Sequence, residues 1–196
     1  MTVTKTEQTT ATKARLERVG RELFAARGFQ AVSAEELVAR ADVTRGALYH
    51  HYAGKDGLFA AVVEAVMREL HAELARETAP FTDPLRALGH GVGVFLRACS
   101  EPDVQRILLI DAPAVLGWQK WREMDAKYGL GLLKQALSAA VEMKLLQKRD
   151  VDVLAHLLLG SLTEAAMVVA RSSNPSRSRK TAERALVSVI EACRTQ

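Results

Sequence analysis

Cysteine is scarce. Cys99 and Cys193 are the only two in 196 residues, they lie far apart, and neither sits in a metal-ligand spacing. That excludes a disulfide framework and a thiolate metal centre. It suits a reducing cytoplasm, with both thiols expected to be buried or inert. Aromatic residues make up only 5% while Leu, Ala and Val dominate, and no stretch has a strand's alternating pattern, so an all-helical chain is expected. The most membrane-like stretch, 151–170, is interrupted by Asp152, His156 and Glu164, whose insertion cost argues for a buried helix and no membrane partner. The amino-terminal MTVTKTEQTTATK lacks the apolar core of a signal peptide, and residues 1–11 read as a disordered arm. Strong charge of one sign is also missing. The formal net charge is +4, and residues 1–56 hold nine Lys+Arg against seven Asp+Glu. Any grip on a polyanion must therefore come from placed contacts, and from two copies, rather than from bulk charge. No phosphate-cradling glycine loop, HExxH, nucleophile elbow or metal-spaced Cys/His set is present, so neither an enzyme nor a metal or cofactor is expected.

What the chain does have is SAEELVARADVTRGALYHHYAGKD, residues 33–56. Ser33 is an N-cap residue and Glu36, three positions on, completes a capping box. Leu37, Val38 and Ala41 give the helix that follows an inward face. Asp42 stands where the turn needs a residue tolerant of positive φ. Thr44 caps a second short helix that turns Leu48 inward and carries Arg45, Tyr49, His50 and His51 outward. Upstream, Leu16, Val19, Gly20, Leu23 and Phe24 make one helical stripe over about Thr12–Arg27, closed by Gly28 with Phe29 behind it. Two short helices joined by a tight turn, the second with a polar outer face, describe a helix-turn-helix, whose second helix enters the DNA major groove.

In that frame Arg45 is the best base reader, because a guanidinium matches guanine O6 and N7 with two parallel bonds. Gly46 allows close backbone approach, and Ala47 can touch a thymine methyl. Tyr49 and His51 are the phosphate binders on the helix, with His50 beside them. Thr44 and Ser33 can hold phosphate through hydroxyl and backbone N–H. Taken singly, each residue also has a plain surface or core reading. Together, at this spacing, they point to DNA.

The stretch resembles the DNA-binding segment of TetR-type transcriptional regulators. The pattern runs through Phe24, Gly28, Phe29, Leu37, Ala41, Val43, Thr44, Gly46, Leu48, Tyr49, Lys55, Leu58 and Phe59. Two positions depart from it: Asp42 replaces the usual turn glycine and Tyr52 the usual phenylalanine. The resemblance is specific over about residues 12–60. It implies that Tyr49 and Lys55 contact backbone phosphate, that a palindromic operator is read by a homodimer, and that a second domain holds a ligand cavity. The fold class expected is all-α: a three-helix helix-turn-helix head (12–57), then a long helix into a helical ligand-binding and dimerisation domain (58–196), about nine helices in all.

Further helices are expected over about 55–78, 84–99, 128–146, 151–171 and from Ser178 or Thr181 to the end, with Pro113 breaking or kinking the region after Pro102. Gly89, Gly91 and Gly93 read either as close packing or ligand approach, or as a loose or bent helix. The helix at 151–171 is apolar almost all round, so it needs cover on every side. The last two helices are therefore the expected homodimer interface. Candidate effector contacts are Met67, Phe95, Asp111, Trp118, Trp121, Met124, Tyr128, His156 and Glu164. For the tryptophans plain core packing stays open. For Asp111 and Glu164 a salt bridge to Arg97, Arg106 or Arg122 stays open. The expected function is a repressor released by a small molecule, and the alternative is a helical small-molecule carrier without specific DNA binding.

Overall fold

The computed structural model describes residues 5–146 and 150–195. Among them the chain is all-helical, with one isolated antiparallel bridge between Leu146 and Arg194. In order come α1 (Lys5–Arg27), α2 (Ala34–Arg40), α3 (Arg45–Tyr52), α4 (Lys55–Thr78), α5 (Pro84–Ala98), α6 (Pro102–Val104), a π-helical stretch Gln105–Asp111, α7 (Ala112–Leu116), α8 (Trp118–Glu142), α9 (Val151–Ala170) and α10 (Pro175–Ala192). The segment from α6 through α7 is continuous, so the described residues form nine helical segments. They divide into two compact units, one running to Val66 and including Pro102–Trp121, the other comprising Met67–Glu101 and the chain from Arg122 onward.

The first unit is built on the predicted stripe. Leu16, Val19, Leu23 and Phe24 of α1 are buried with Leu37 and Ala41 of α2, Leu48 of α3 and Leu58, Phe59, Val62 and Val63 of α4. Phe24, Phe29 and Phe59 meet with ring centroids 5.0–5.8 Å apart, a geometry that adds to burial. Ile107, Leu108, Ala112 and Trp121 are buried in the same unit. The indole N–H of Trp121 donates to the Leu108 carbonyl at 3.1 Å, so both Trp121 and the distorted helix it touches are satisfied.

In the second unit α5, α9 and α10 pack against one another, through Leu85, Leu88, Val92 and Leu96 of α5, Ala155, Leu158, Leu159, Ala166 and Val169 of α9, and Leu186 and Ile190 of α10. Leu133, Leu137 and Ala140 of α8 are buried in the same unit. Of the three α5 glycines, a Cβ on Gly93 would meet the Glu183 carboxylate at 2.7 Å, whereas Gly89 and Gly91 have room. Close packing is therefore the answer at Gly93, against a side chain that can move.

Four expectations need correction. Helix α1 begins at Lys5, so residues 5–11 are helical rather than a disordered arm; residues 1–4 lie outside the described residues. No breaker separates 5 from 12, and extending an existing helix avoids the cost of nucleation. Pro113 does not break its segment. Its missing N–H and its clash with the carbonyl four residues back are accommodated by the π-helical turns just upstream, where the Ala112 N–H reaches Ile107, five residues back. Helix α8 starts at Trp118, ten residues before the expected Tyr128, and ends at Glu142; inside it Gly129 is a packing glycine, where a Cβ would lie 2.6 Å from Leu159. Helix α10 starts at Pro175, capped by the Asn174 side chain accepting from the Arg177 N–H. Asn at the cap and Pro at the first helical position were a stronger start signal than Ser178 or Thr181.

Candidate nucleic-acid interface

Both caps of the helix-turn-helix form as the residue types require. Ser33 Oγ accepts from the Glu36 N–H and Thr44 Oγ1 from the Ala47 N–H, each at 3.1 Å. The Glu36 carboxylate pairs with Arg27. Asp42 takes φ +51° in the turn and Ala53 takes φ +55° after α3. The turn thus asks a non-glycine residue for a left-handed conformation, which Asp tolerates through its short polar side chain. Gly57 has no alternative, because a Cβ would run into the Tyr52 carbonyl.

Seen from outside, α3 shows Arg45, Gly46, Tyr49 and His50 exposed, with Ala47, His51 and Tyr52 partly so. Tyr49 keeps 49% of its surface. Arg45 Nη1 donates to Glu35 Oε1 at 2.8 Å, and its guanidinium lies 5.5 Å from the centre of the Tyr49 ring. Gly46 faces open space: a Cβ there would meet only Thr44 Oγ1, at 3.8 Å. His50 and His51 stack edge to face at 4.9 Å. Partial burial, then the charges of His50 and Lys13, hold the His51 imidazole below its ordinary pKa. The Tyr52 hydroxyl donates to Glu17 at 2.7 Å. Burial and that bond push the phenol well above its usual pKa, so the departure from phenylalanine ties α3 to α1.

Lys55 is turned inward. Its ammonium donates to the Phe29 and Val32 carbonyls at 3.2 and 3.0 Å and lies 4.0 Å from the centre of the Phe29 ring. Sequence reasoning anticipated a charge near phosphate and missed that this lysine also clamps the α1–α2 corner. On another side of the same corner Asp111 accepts the Phe29 N–H at 2.8 Å and faces Arg106 Nε at 3.4 Å. The Arg106 guanidinium packs over Gly28, whose φ is +77°. Arg21 bonds Asp103 at 3.0 Å. Asp111 thus has the Arg106 partner offered as one alternative.

The remaining effector candidates fall in both units. Trp118 is 64% exposed, its ring 5.1 Å from buried Trp121. Both belong with Asp111 to the unit that contains the head. Met67 is buried in the second unit, and Phe95, Met124 and Tyr128 are partly so. His156 and Glu164 are exposed on α9, so Glu164 is no buried charge in need of a partner. What sequence reasoning missed is Asp125, one turn after Arg122. Arg122 Nη1 lies 2.6 Å from its carboxylate and Thr163 Oγ1 donates to it at 3.3 Å. Burial pushes the Asp125 carboxyl up, opposed by Arg122 and Thr163. Burial, aided by Asp125, pushes the Cys99 thiol up to about 12. The His71 ring nitrogen Nδ1 lies 2.8 Å from the Tyr128 carbonyl. The Arg-x-x-Asp spacing on one helix face was the available signal.

A capped three-helix head with an open polar third helix, followed by an all-helical unit, defines a helix-turn-helix transcription regulator with a carboxy-terminal ligand-binding domain. Residues 18–62 match the model for bacterial regulatory proteins of the tetR family, and residues 85–193 match the tetracyclin repressor-like carboxy-terminal domain. This chain belongs to the TetR family. A crystal structure of a TetR-family transcriptional regulator from Pectobacterium atrosepticum is 30% identical, with TM-score 0.87 and 98% of each chain covered. The transposon Tn10 TetC protein of Escherichia coli is 28% identical over 138 residues, 70% of each sequence. RolR in complex with resorcinol shares the fold at TM-score 0.74 and 17% identity, covering 94% of this chain and 90% of that one.

Proposed function

We propose that this chain is a repressor that reads a palindromic double-stranded DNA operator as a homodimer in the cytoplasm, and leaves it when a small molecule binds the carboxy-terminal unit. The observation that carries the reading is Gly46. Glycine in a helix costs about 1 kcal/mol against alanine, and no neighbour in the head demands it. The space in front of it is what an approaching duplex would use. Arg45 and Ala47 face base edges. Tyr49, His50 and His51, with the Thr44 and Ser33 caps, face phosphate, and Lys55 offers its third N–H there too.

The homodimer interface is proposed on α9 and α10. Val153, Leu157 and Val168 are 55%, 63% and 54% exposed and lie within about 60° of one another around α9. Val189 of α10 is 55% exposed. The α9 stretch is long and apolar enough to cross a membrane by length and composition, but one face is already packed in the unit, and a second copy would cover the other. Half-sites then lie one helical turn apart, about 34–36 Å, or a multiple. The effector contacts proposed are Met67, Phe95, Met124 and Tyr128, with Asp125 and Thr163 as polar groups. Release follows if the effector binds more tightly to the arrangement whose heads are wrongly spaced, with α4 as pivot.

The test is a fluorescence-anisotropy titration with the upstream intergenic DNA of its own gene against scrambled DNA at two salt concentrations. A preference of about a thousandfold with a strong salt slope is expected. Equal weak binding to every fragment of a genome-wide selection would favour the carrier reading instead.

A further inference from the structure

The two acids that open α2 have different partners. Glu36 pairs with Arg27 inside the head, while Glu35 reaches across to α3 and takes Arg45 Nη1 at 2.8 Å. Both members of that second pair are solvated, with side chains 62% and 65% exposed. An exposed ion pair of this kind adds little to stability. In a protein whose partner is a polyanion, a carboxylate bound to the leading arginine also subtracts from non-specific attraction. Its effect on direction is larger. A free arginine at this exposure samples many rotamers and can swing to a phosphate. Held by Glu35 on one nitrogen and backed by the Tyr49 ring at 5.5 Å, the guanidinium is confined to a fork. Of its five N–H groups, those not engaged by Glu35 and Tyr49 remain for guanine O6 and N7.

We infer that Glu35 is a positioning residue for base readout, which aims the Arg45 fork and commits one position in each half-site to guanine. The inference rests on the DNA-binding reading above and names the base pair that its leading residue takes. Phosphate contact by Arg45 is disfavoured in the same stroke, because it would bring Glu35 alongside a second anion.

The experiment is selection of bound duplexes from a random pool by the full-length protein, followed by titration of the selected operator. Wild type is compared with Glu35→Gln, which keeps shape and loses charge at a site too exposed to threaten folding. Wild type is expected to select guanine at one position per half-site, by a factor within the roughly 5- to 150-fold range of a good bidentate pair. Glu35→Gln is expected to lose most of that preference at that position alone. Its non-specific affinity should rise, and its salt slope should steepen by about one per head as Arg45 turns to phosphate. A merely structural role for Glu35 would weaken all sequences alike and leave the slope. A selective wild type whose Glu35→Gln variant keeps the guanine preference and the slope overturns this inference alone. A wild type that selects no sequence overturns the DNA-binding reading and this inference with it.

Discussion

Replacing Gly46 by alanine should move stability and DNA affinity in opposite directions. Gly46 is the second residue of α3, in the first turn, where backbone N–H groups are not yet in the helical ladder. The full helix-interior advantage of alanine, about 1 kcal/mol, should be partly realised there, roughly 0.5 kcal/mol. Nothing opposes it sterically, since the nearest atom to the new methyl is Thr44 Oγ1 at 3.8 Å. The folded protein should therefore be unchanged or slightly more stable in a urea titration. On DNA the methyl projects from the face that also carries Arg45 and Tyr49. If the duplex lies against Gly46, the head must retreat by about the thickness of a methyl, and the bidentate contact at Arg45 is strained or lost. That costs about 1–3 kcal/mol per head, and a dimer carries two heads, so operator affinity should fall at least tenfold. An anisotropy titration reads it directly. Gain of stability with undiminished operator affinity would refute the argument that this glycine is kept for a duplex.

Asp111→Ala leaves the part-buried Phe29 N–H without its acceptor and should destabilise the head by about 1.5–3 kcal/mol. A urea midpoint equal to wild type would show the bond to be idle. Cys99, buried and with its thiol pushed up to about 12, should resist a thiol-specific reagent at pH 8 in the native state and react once unfolded, since the reagent needs an accessible thiolate. Native labelling of Cys99 faster than unfolding would contradict its burial. Burial alone would push the Asp83 carboxyl up, but the Arg86 N–H, Arg194 and the Leu85 N–H outweigh it and hold its pKa below the ordinary value. That stabilisation is present above the unfolded-state carboxyl pKa and is lost as pH falls through the lower folded value. Asp83→Asn should therefore lose stability at neutral pH and show a flatter acid limb, measured by melting between pH 2 and 6. Leu157→Glu, on the exposed apolar face of α9, should give a folded monomer in sedimentation if that face is the dimer contact, and a persistent dimer would place the contact elsewhere.

The head was legible because its signals are local. Ser33 as a cap, Asp42 at the turn and Thr44 before Arg45 each act within a few residues and formed as the residue type requires, while the Glu36 carboxylate of the expected capping box pairs with Arg27 instead. The α1 stripe was legible for the same reason. Misplaced boundaries came from reading Pro113 as a break or kink and from starting α8 and α10 at later residues than the chain uses. Pro113 is tolerated because the π-helical turns just upstream take up its missing N–H, and Gly129 packs against a leucine on α9, far away in sequence. Lys55 shows the limit from the other side. A family pattern marks the position but cannot say that two of its bonds close the corner after α1.

Asp111 was legible in part: its charge partner Arg106 was among the alternatives, but its backbone partner was not. A carboxylate in an apolar run reads as a group needing a partner, and a salt bridge or a ligand contact were the alternatives. Arg106 stands within 3.4 Å, but at 2.8 Å the nearer bond is to a backbone N–H, that of Phe29, in the corner after α1. No sequence pattern encodes a bond between a side chain and the main chain 82 positions away, because any residue except proline supplies the donor. The consequence is functional. The corner that Asp111 and Lys55 hold from two sides precedes α2 directly, and α2 carries Glu35, which aims Arg45. A change at Asp111 should therefore reach base readout without touching DNA. Asp111→Asn keeps an acceptor and should spare stability more than Asp111→Ala does. If the corner sets the aim, the two substitutions should lower guanine preference in the same order as they lower stability.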